Sequence, residues 1–529
     1  MIRLSLQPLE ITAPHIEYGL LAPVLVIFVG ACVGVLAEAI VPREMRRVVH
    51  MVITPVSLAI ALAATLLNWA SGVKGLVAVG SLAIDGPTYF MWTILIIFSG
   101  AALLLFAETK IENASVFAPQ AAAVPGTPAE QEAIRSRMEH TEVFPLALFA
   151  VLGMMLFPAS NDLIMMFVAL EILSLPLYLL CGLARRRRLL SQEAALKYFL
   201  LGALSSAFFV YGAALLYGYS GSFTFAAIDD AIRNSDQGLG LLLAGMALLG
   251  VGLLFKFSAV PFHSWTPDVY AGAPTPVTGF MAACTKIAAV GALMRVFYVA
   301  LGADRWDWQP MMAIITVLTM AVGSVLAITQ TDVKRMLAYS SIAHAGFMMV
   351  AFVGASQVVS GSRPGSLTSI SSVMFYLVAY GGATIGAFAL VTMVRDSTGE
   401  ATLLNSWVGL GRRSPLVATI FSIFMLSFAG IPLTSGFIGK WAVFAAAWNG
   451  GIQWLVVVAV VISVVAAFFY IRVIVLMFFA EPGKMATTVV RPGWTTLVTV
   501  GVGVVATVAF GVFPGPLLAL AQQAGEFIR

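Results

Sequence analysis

Apolar runs long enough to cross a bilayer alternate with short polar connections along the whole chain. A membrane-spanning α-helix needs about 20 mostly apolar residues, and turn residues and charges mark where each run stops. We therefore predict an all-α polytopic membrane protein with one long polar connection, residues 109–140. The fourteen predicted spans cover residues 18–40, 48–69, 88–108, 142–159, 161–183, 192–218, 238–260, 276–300, 309–329, 334–355, 368–394, 414–448, 452–480 and 494–520.

Composition supports this class and argues against several functions. Of the 529 residues, 60% are hydrophobic and 10% are charged, against about 25% charged in ordinary soluble domains. We find no glycine-rich phosphate loop and no dinucleotide fingerprint. The three cysteines, Cys32, Cys181 and Cys284, lie inside spans without metal-ligand spacing. We expect no cofactor and no metal in this chain, so any redox chemistry takes place on another polypeptide.

Basic residues are unequally divided between the two sides of the predicted membrane domain. The side with more Lys and Arg is predicted to be cytoplasmic, which puts both termini outside. The run RRRR at 185–188 is interpreted as part of this topology signal, with a specific lipid or nucleic-acid role as the less favoured alternative. Seventeen basic residues follow odd-numbered spans: Arg43, Arg46, Arg47, Lys110, Arg135, Arg137, Arg185, Arg186, Arg187, Arg188, Lys334, Arg335, Arg395, Arg412, Arg413, Lys484 and Arg491. Six lie on the other side: Arg3, Lys74, Arg233, Arg305, Arg363 and Arg529.

Six basic residues and one acid remain inside the predicted spans. A charge at the bilayer centre costs about 2.5–3.5 kcal/mol on insertion scales, and such residues mark polar cavities or proton pathways. A structural role alone does not explain so many of them. They are Glu171, Lys197, Lys256, Lys286, Arg295, Lys440 and Arg472.

Three of these charges have alternative interpretations. Lys197 follows Glu193 by four residues, which allows an ion pair along one helix face, or it pairs with Glu171 on the neighbouring antiparallel span. Arg295 is expected to extend its side chain from near the end of span 8 to the membrane interface. Arg472 lies at a depth that leaves both a surface and an interior location open.

Two spans carry helix breakers beside a lysine. Ser258 and Pro261 follow Lys256 in span 7, and the sequence GIPLTSGFIGK ends on Lys440 in span 12. Proline removes a backbone donor and clashes with the preceding turn, so each break leaves backbone groups that protein or water must satisfy within a membrane. Matched breaks in two halves are typical of inverted-repeat transporters. We predict discontinuous helices 7 and 12 and two inverted five-helix repeats, spans 4–8 and 9–13.

Two of the five histidines are candidates for proton transfer. His344 lies within span 10 near Tyr339, Ser340 and Ser341, and His263 lies in the loop after the first break. Histidine titrates near pH 6.5, which suits a relay, although a lone histidine in a helix is often a packing residue. The other three, at membrane edges or in the long loop, are interpreted as having no functional role: His15, His50 and His140.

Five segments, in this order, resemble the antiporter-like subunits of respiratory complex I. They are ALEILSLPLYLLCGL, SQEAALKYFLLGALSSAFFVYGAALLYGYSGS, FKFSAVPFHSWTPDVYAGAPTPVTGF, TDVKRMLAYSSIAHAGF and AGIPLTSGFIGKW. Within that family the chain is most similar to the N-type subunits, because Lys440 stands where one sister subunit carries glutamate. The resemblance covers nearly the whole chain and is most specific between residues 140 and 445.

The resemblance implies a proton-translocating membrane subunit of NADH:quinone oxidoreductase in a bacterial cell membrane. It implies fourteen helices with inverted repeats, and flavin, iron–sulfur clusters and quinone in partner subunits only. The implied partners are neighbouring antiporter-like and small membrane subunits and lipids, with no nucleic acid. The family's proton-pathway residues match Glu171, Lys197, Lys256, Lys286 and Lys440, and the polar axis also takes in His344 and His263 by position.

The mechanism expected from this resemblance starts at an acid–lysine contact. Glu171 pairs in turn with Lys197 and Lys256, which changes the proton affinity of Lys256. The proton then moves along Lys286 and His344 to Lys440, and leaves when the axis resets. Two other functions stay open: a subunit of a multisubunit cation/proton antiporter, and a spacer that transmits conformational change without carrying protons.

The expected domain organisation has five parts. Residues 1–108 form three N-terminal transmembrane helices, and residues 109–140 form the polar loop. Residues 141–300 and 301–482 are the two antiporter-like repeats. Residues 483–529 hold the last transmembrane helix.

Overall fold

The computed structural model describes residues 16–111, 114–117, 127–135, 140–234, 238–355, 367–396, 399–481 and 487–528. Within them, twelve helices are long and apolar enough to cross a membrane, and two further apolar helices, Val143–Ala159 and Pro415–Ala429, are shorter. These twelve and two helices correspond to the fourteen predicted spans, so the all-α polytopic membrane fold is confirmed. Six residues interpreted from the sequence lie outside the described residues: Arg3, His15, Arg137, Arg363, Lys484 and Arg529.

The N-terminal part is a three-helix unit with a small hairpin. Its first two helices join at a turn where Arg46 and His50 lie 3.0 and 2.6 Å from the carboxylate of Glu38. Asp85 caps the third helix by accepting from the amide of Thr88, as expected for an N-cap carboxylate. The elements are α1 (Tyr18–Ile40), α2 (Arg43–Ala70), β1 (Gly75–Val77), β2 (Leu82–Ile84) and α3 (Gly86–Phe106).

The first half of the remaining chain begins with a short helix in the polar connection and continues with the spans of the proposed first repeat. Two π-helical segments, Met281–Thr285 and Val296–Ala300, flank the helix that begins at Lys286. The helices are α4 (Pro128–Arg135), α5 (Val143–Ala159), α6 (Leu163–Cys181), α7 (Arg188–Ser220), α8 (Phe225–Asn234), α9 (Gly240–Phe257), α10 (Trp265–Gly272), α11 (Thr275–Phe280) and α12 (Lys286–Arg295).

Within the described residues, the second half and the C-terminal part add five long apolar helices, the shorter apolar helix Pro415–Ala429 and a small sheet. Strand β3 pairs antiparallel with β4 and β5 at its two edges, and Leu404–Trp407 forms a 3-10 turn. The elements are α13 (Arg305–Thr329), α14 (Val333–Val353), α15 (Ser369–Met393), β3 (Val394–Asp396), β4 (Gly399–Glu400), α16 (Leu410–Arg413), α17 (Pro415–Ala429), α18 (Ser435–Asn449), α19 (Gln453–Phe478), β5 (Thr488–Val489), α20 (Trp494–Val512) and α21 (Gly515–Gln523).

Three spans form the centre of the molecule. In Thr275–Ala300 and in α15, all residues of an 18-residue apolar stretch are buried, and in α14 the buried share of such a stretch is 94%. In α2, α7 and α19 only 33% of the corresponding stretch is buried. These helices expose leucine, valine and phenylalanine side chains. The central spans are also the ones that carry Lys286 and His344.

Both predicted helix breaks are confirmed. Helix α9 ends at Phe257, and Ser258 adopts a left-handed conformation with φ 65° before α10 begins at Trp265. Helix α17 ends at Ala429, and Gly430 adopts φ 82° before α18 begins at Ser435. A left-handed residue directly after the last turn is a common way to end a helix. The inverted relation between the two sets of helices stays a prediction.

Two sequence-based placements of basic residues are wrong. Arg295 does not extend to the interface: its side chain is fully buried, and its guanidinium lies 2.9 Å from Asp85 and donates to the carbonyl of Pro158. The ring of Phe527 stacks 4.7 Å from the same guanidinium. Lys334, placed in a loop, lies buried in the first turn of α14, where it donates to the carbonyl of Ala273. In both cases the partner comes from a distant part of the sequence.

The Arg295–Asp85 pair gives a stability prediction. Removing one member of a buried ion pair leaves the other charge uncompensated, at a cost of about 3–5 kcal/mol. We expect Arg295→Gln to lower the midpoint of thermal unfolding of the detergent-solubilised protein, and Asp85→Asn in the same chain to restore part of the loss. Arg472→Gln is the control, because Arg472 is exposed and its hydrogen bond goes to a backbone carbonyl, that of Ile328. Equal midpoints for the Arg295 and Arg472 variants would contradict the prediction.

Candidate functional site

The first helix break is capped by a lysine from the central span. Lys286, 1% exposed, donates from Nζ to the carbonyl of Phe257 at 3.1 Å, and Phe257 is the last residue of α9. The ammonium also lies 5.2 Å from the centre of the Phe257 ring. A helix C-terminus carries unsatisfied carbonyls and partial negative charge, which favour a cation. Lys286 thus satisfies a carbonyl that the break leaves free in the membrane.

The second break is capped in the same way. Lys440, 5% exposed, donates to the carbonyl of Ala429 at 2.9 Å, and Ala429 is the last residue of α17. Its ammonium also donates to the hydroxyl of Ser463 at 2.8 Å and lies 4.7 Å from the centre of the Phe347 ring. The backbone at the left-handed Gly430 lies close to the side chain of Lys440: a Cβ added at this position would be 2.9 Å from Cδ of the lysine.

Lys256 occupies an aromatic pocket on the last turn of α9. Its ammonium donates to the hydroxyl of Tyr198 at 3.1 Å and lies 5.1 Å from the Tyr198 ring centre and 5.8 Å from that of Tyr178. Lys256 is adjacent to Phe257, whose carbonyl accepts from Lys286. Both lysines therefore lie at the same helix end, one on its last turn and one bound to its last carbonyl.

Among the described residues, no carboxylate lies within 4.0 Å of the ammonium groups of Lys256, Lys286 and Lys440. Carbonyls, hydroxyls and ring faces take the place of a counter-ion. Lysine, unlike arginine, can release its proton in a protein. An ammonium that is buried without a counter-ion is the arrangement expected of a group that binds and releases a proton.

His344 lies among tyrosines that come from α15 and α19. Its two ring nitrogens lie 2.7 Å from the hydroxyl of Tyr376 and 3.1 Å from that of Tyr470. Gly439, next to Lys440 in the chain, packs against Tyr376, since a Cβ there would lie 3.0 Å from the tyrosine ring. The helix turn that carries Lys440 thus packs against a hydrogen-bond partner of His344. We call His344 and Lys440 the second polar group, and Lys256 and Lys286 the first.

The serines predicted to accompany His344 contact the same tyrosines. Ser340 lies 2.5 Å from the hydroxyl of Tyr470, and Tyr380 donates to Ser341 at 2.8 Å. The sequence therefore identified the polar surroundings of this histidine, but not the three tyrosines from other helices.

The prediction that Lys197 pairs with Glu171 is wrong. Glu171 lies at the periphery, where it accepts a hydrogen bond from Ser206 in an open groove between α6 and α7. Nine residues separate Lys197 from Ser206, which is about two and a half turns of helix. Lys197 therefore lies on the opposite face of α7 from the residue that contacts Glu171.

Lys197 is instead bound by two other acids. Its ammonium lies 2.7 Å from Glu193, the sequence-predicted i,i+4 partner, and 2.8 Å from Asp268 on α10. The second oxygen of Asp268 lies 2.9 Å from Arg335. Asp268 was missed by the sequence analysis, although a single acid just after a helix break was a signal that could have identified it.

His263 is not joined to the lysines by a hydrogen bond within the described part of the chain. It lies half-buried between α9 and α10, and its Nδ1 has no hydrogen-bond partner. Its predicted place on the polar axis therefore stays a prediction.

Comparison with known proteins identifies the family. Residues 160–466 match the family model described as NADH:quinone oxidoreductase/Mrp antiporter, transmembrane. The NADH-quinone oxidoreductase subunit N of Rhodococcus opacus is 55% identical to this chain, over 99% of this chain and 98% of the relative. The chain belongs to the subunit N family. The subunit N of a Nocardioides species is also 55% identical, over 98% of this chain and 100% of that protein.

Solved structures agree with this assignment. A chain of respiratory complex I from Thermus thermophilus with bound aureothin superposes with a TM-score of 0.73 at 35% identity, over 95% of this chain and 100% of that chain. A chain of the Mrp complex from a Dietzia species gives a TM-score of 0.78 at 20% identity, over 96% and 97%. The second likeness shows a shared fold alone. All candidate residues from Glu171 to Lys440 lie within the matched family region.

The approach of Gly430 to Lys440 gives a prediction about the second break. An L-residue in the left-handed region costs about 1–2 kcal/mol, and the new methyl group would displace the lysine side chain. We expect Gly430→Ala to lower thermal stability and to move the ammonium away from the carbonyl of Ala429 in a cryo-EM map. Gly451→Ala is the matched control: Gly451 has φ 89° and nothing within 4 Å of the added carbon. A variant with lower thermal stability but an unchanged position of the Lys440 ammonium in the map would contradict the prediction.

Proposed function

We propose that this chain is a membrane-arm subunit of a bacterial NADH:quinone oxidoreductase, and that it carries protons across the membrane while other subunits reduce quinone. The observation that carries the proposal is the burial of three lysines at two helix breaks, where no carboxylate of the described ranges is in contact with them. Each broken helix end supplies a carbonyl or hydroxyl that an ammonium can bind and leave. Membership in the subunit N family supports the link to quinone reduction.

The first group of side chains accepts the proton in this proposal. Lys256 and Lys286 meet at the end of α9, where the carbonyl of Phe257 is held by Lys286. Glu171 lies two turns before Tyr178 on α6, and the ring of Tyr178 faces Lys256. A change of charge at Glu171 alters the proton affinity of a nearby lysine. Lys197 takes part through Asp268 rather than through Glu171.

The second group delivers the proton. His344 receives it through the hydroxyl groups of Tyr376 and Tyr470, which lie within hydrogen-bond distance of the two ring nitrogens. Lys440, whose ammonium binds the carbonyl of Ala429 and the hydroxyl of Ser463 at the second break, is the group that releases it. A histidine bonded on both sides can accept a proton at one nitrogen and give it up at the other. His263, beside the first break, is the remaining candidate for this path.

The organisation around these groups is part of the proposal. Residues 141–300 and 301–482 form two inverted repeats, each with one broken helix, after the N-terminal unit of residues 1–108 and the connection at 109–140. Residues 483–529 complete the membrane domain. Both termini face the outside of a bacterial cell membrane, as the distribution of Lys and Arg predicts.

The partners follow from the assigned class. Flavin, iron–sulfur clusters and quinone belong to other subunits, and this chain contacts neighbouring antiporter-like and small membrane subunits. The groove that holds Glu171 opens at the periphery, as expected of an acid that responds to a neighbouring subunit.

A subunit of a multisubunit cation/proton antiporter is the second candidate. The fold shared with the Mrp complex supports it, since the same buried lysines would serve exchange of a cation for a proton. Co-purification decides between the two, because quinone-reducing subunits accompany the chain in one case and other antiporter chains in the other.

Lysine variants test proton transfer. We expect Lys256→Ala and Lys440→Ala, in the purified complex in proteoliposomes, to lower the rate of proton pumping at least about tenfold, since positioned acid–base groups contribute about 100-fold or more. Pumping and quinone reduction are measured on the same preparation at equal content of this subunit. Arg472→Ala, an exposed basic residue within a span, is the control and should pump as the wild type does.

Two results would count against the proposal. Pumping per electron that equals the wild type in both lysine variants would exclude these lysines as proton carriers. Loss of pumping in all three variants, Arg472→Ala included, would indicate a general sensitivity of the membrane domain rather than a lysine path.

A further inference from the structure

We propose that Asp268 is a positioning residue that couples the protonation state of Lys256 to the helix carrying His344. The inference rests on the proposed function, because it concerns how the first proton group communicates with the second. Asp268 lies on α10, the short helix that follows the first break. Its role is to hold this helix against two neighbours at once.

The two carboxylate oxygens of Asp268 bind different helices. Oδ2 lies 2.8 Å from the ammonium of Lys197 on α7, and Oδ1 lies 2.9 Å from the guanidinium of Arg335 on α14. Helix α10 packs against the same two helices. One side chain thus links the helix that binds Lys256 to the helix that presents His344.

A second residue of α10 reaches the surroundings of Lys256. Trp265 stands three residues before Asp268 and stacks on Tyr198, with ring centres 4.6 Å apart and an interplanar angle of 9°. Tyr198 accepts the hydrogen bond from Lys256. The indole of Trp265 also donates to the carbonyl of Phe255 at 3.0 Å, within the last turn of α9. A displacement of α10 therefore changes the position of the hydroxyl that Lys256 binds.

Two adjacent residues of α7 face two residues of α10 that lie one turn apart. Lys197 forms an ion pair with Asp268, and Tyr198 stacks on Trp265. The ion pair and the aromatic stack consequently move as one unit. When Lys256 loses its proton, the charge-assisted hydrogen bond to Tyr198 is replaced by a weaker bond between neutral groups, in which the tyrosine hydroxyl can donate to the amine. In this proposal the reorientation of the hydroxyl shifts the stack, which changes the geometry at Asp268.

Arg335 passes this change to the second half of the molecule. It lies in the first turn of α14, nine residues before His344 on the same helix. Arginine remains charged at all relevant pH values, and the ammonium of Lys197 stays charged because it lies 2.7 and 2.8 Å from the carboxylates of Glu193 and Asp268. Asp268 therefore binds α7 and α14 at the same time, and a shift of α10 is passed to α14 through Arg335.

Charge removal at Asp268 tests the coupling in the assembled complex. We expect Asp268→Asn to lower protons pumped per electron by about two- to thirtyfold, the range found for residues along coupling networks. Asp268→Glu keeps both charges in reach and should recover most of the pumping. A residue needed only for folding would instead change the amount of assembled subunit, which is measured alongside by immunoblot of the purified complex.

Glu193→Gln is the matched control. Glu193 binds the same ammonium at 2.7 Å but lies on the same helix as Lys197, so it connects no second helix. We expect near wild-type pumping from this variant. Equal losses in Glu193→Gln and Asp268→Asn would overturn the inference, because they would trace the effect to Lys197 alone.

A double variant tests the path through α14. If Asp268 acts through Arg335, then Asp268→Asn combined with Arg335→Gln should lose no more pumping than Asp268→Asn alone, since contacting residues that act together are not additive. A loss of pumping in the double variant that equals the product of the two single-variant losses would overturn the link between Asp268 and Arg335. If Asp268→Asn fails to assemble, the single variant Arg335→Gln decides, and wild-type pumping from it would overturn the inference.

The same preparations separate this inference from the proposed function. Wild-type pumping by Lys256→Ala contradicts the proposed function itself. Loss of pumping in Lys256→Ala together with wild-type pumping in Asp268→Asn leaves the proposed function intact and overturns the role of Asp268.

Discussion

The contact between a lysine ammonium and the last carbonyl of a broken helix is the interaction on which the rest of the structure depends. A helix that ends inside a membrane leaves carbonyls with no water to bind, and a lysine buried there has no solvent for its charge. Lys286 on Phe257 and Lys440 on Ala429 satisfy both needs at once. Breakers and lysines therefore occur together in this sequence, and neither would be tolerated alone at that depth.

This constraint decides which helices are central. The carbonyl of Phe257 is met only if the span that carries Lys286 lies against the end of α9, and α14 must lie near α18 for Phe347 to face Lys440. The central spans are accordingly the most completely buried, although they contain charged and polar residues. Peripheral helices such as α19 are more apolar and less buried. Burial here follows polar contacts rather than hydropathy, which in a membrane offers little preference between lipid and protein.

The sequence predicted those features that depend on local chemistry. Hydropathy located the spans, because the membrane sets their length, and proline and glycine located the breaks, because their backbone effects are local. Partners could not be predicted in the same way. Arg295 stands near the end of its span, and only the tertiary fold places Asp85 beside it. Lys197 faces away from Glu171 because of the rotation of α7, and its main partner, Asp268, comes from beyond a break whose geometry the sequence does not specify.

The location of the ion pairs separates structural from mobile charges. Toward the ends of the helices the charges are paired, as in Arg295 with Asp85 or Arg46 with Glu38. At the breaks, Lys286 and Lys440 have only carbonyl, hydroxyl and ring partners among the described residues. A carboxylate at 3 Å would hold each ammonium charged and fix the proton in place. Neutral partners stabilise the ammonium enough to keep the helices together, yet leave the proton free to move. A proton path built on lysine thus requires that the paired charges be kept away from its centre.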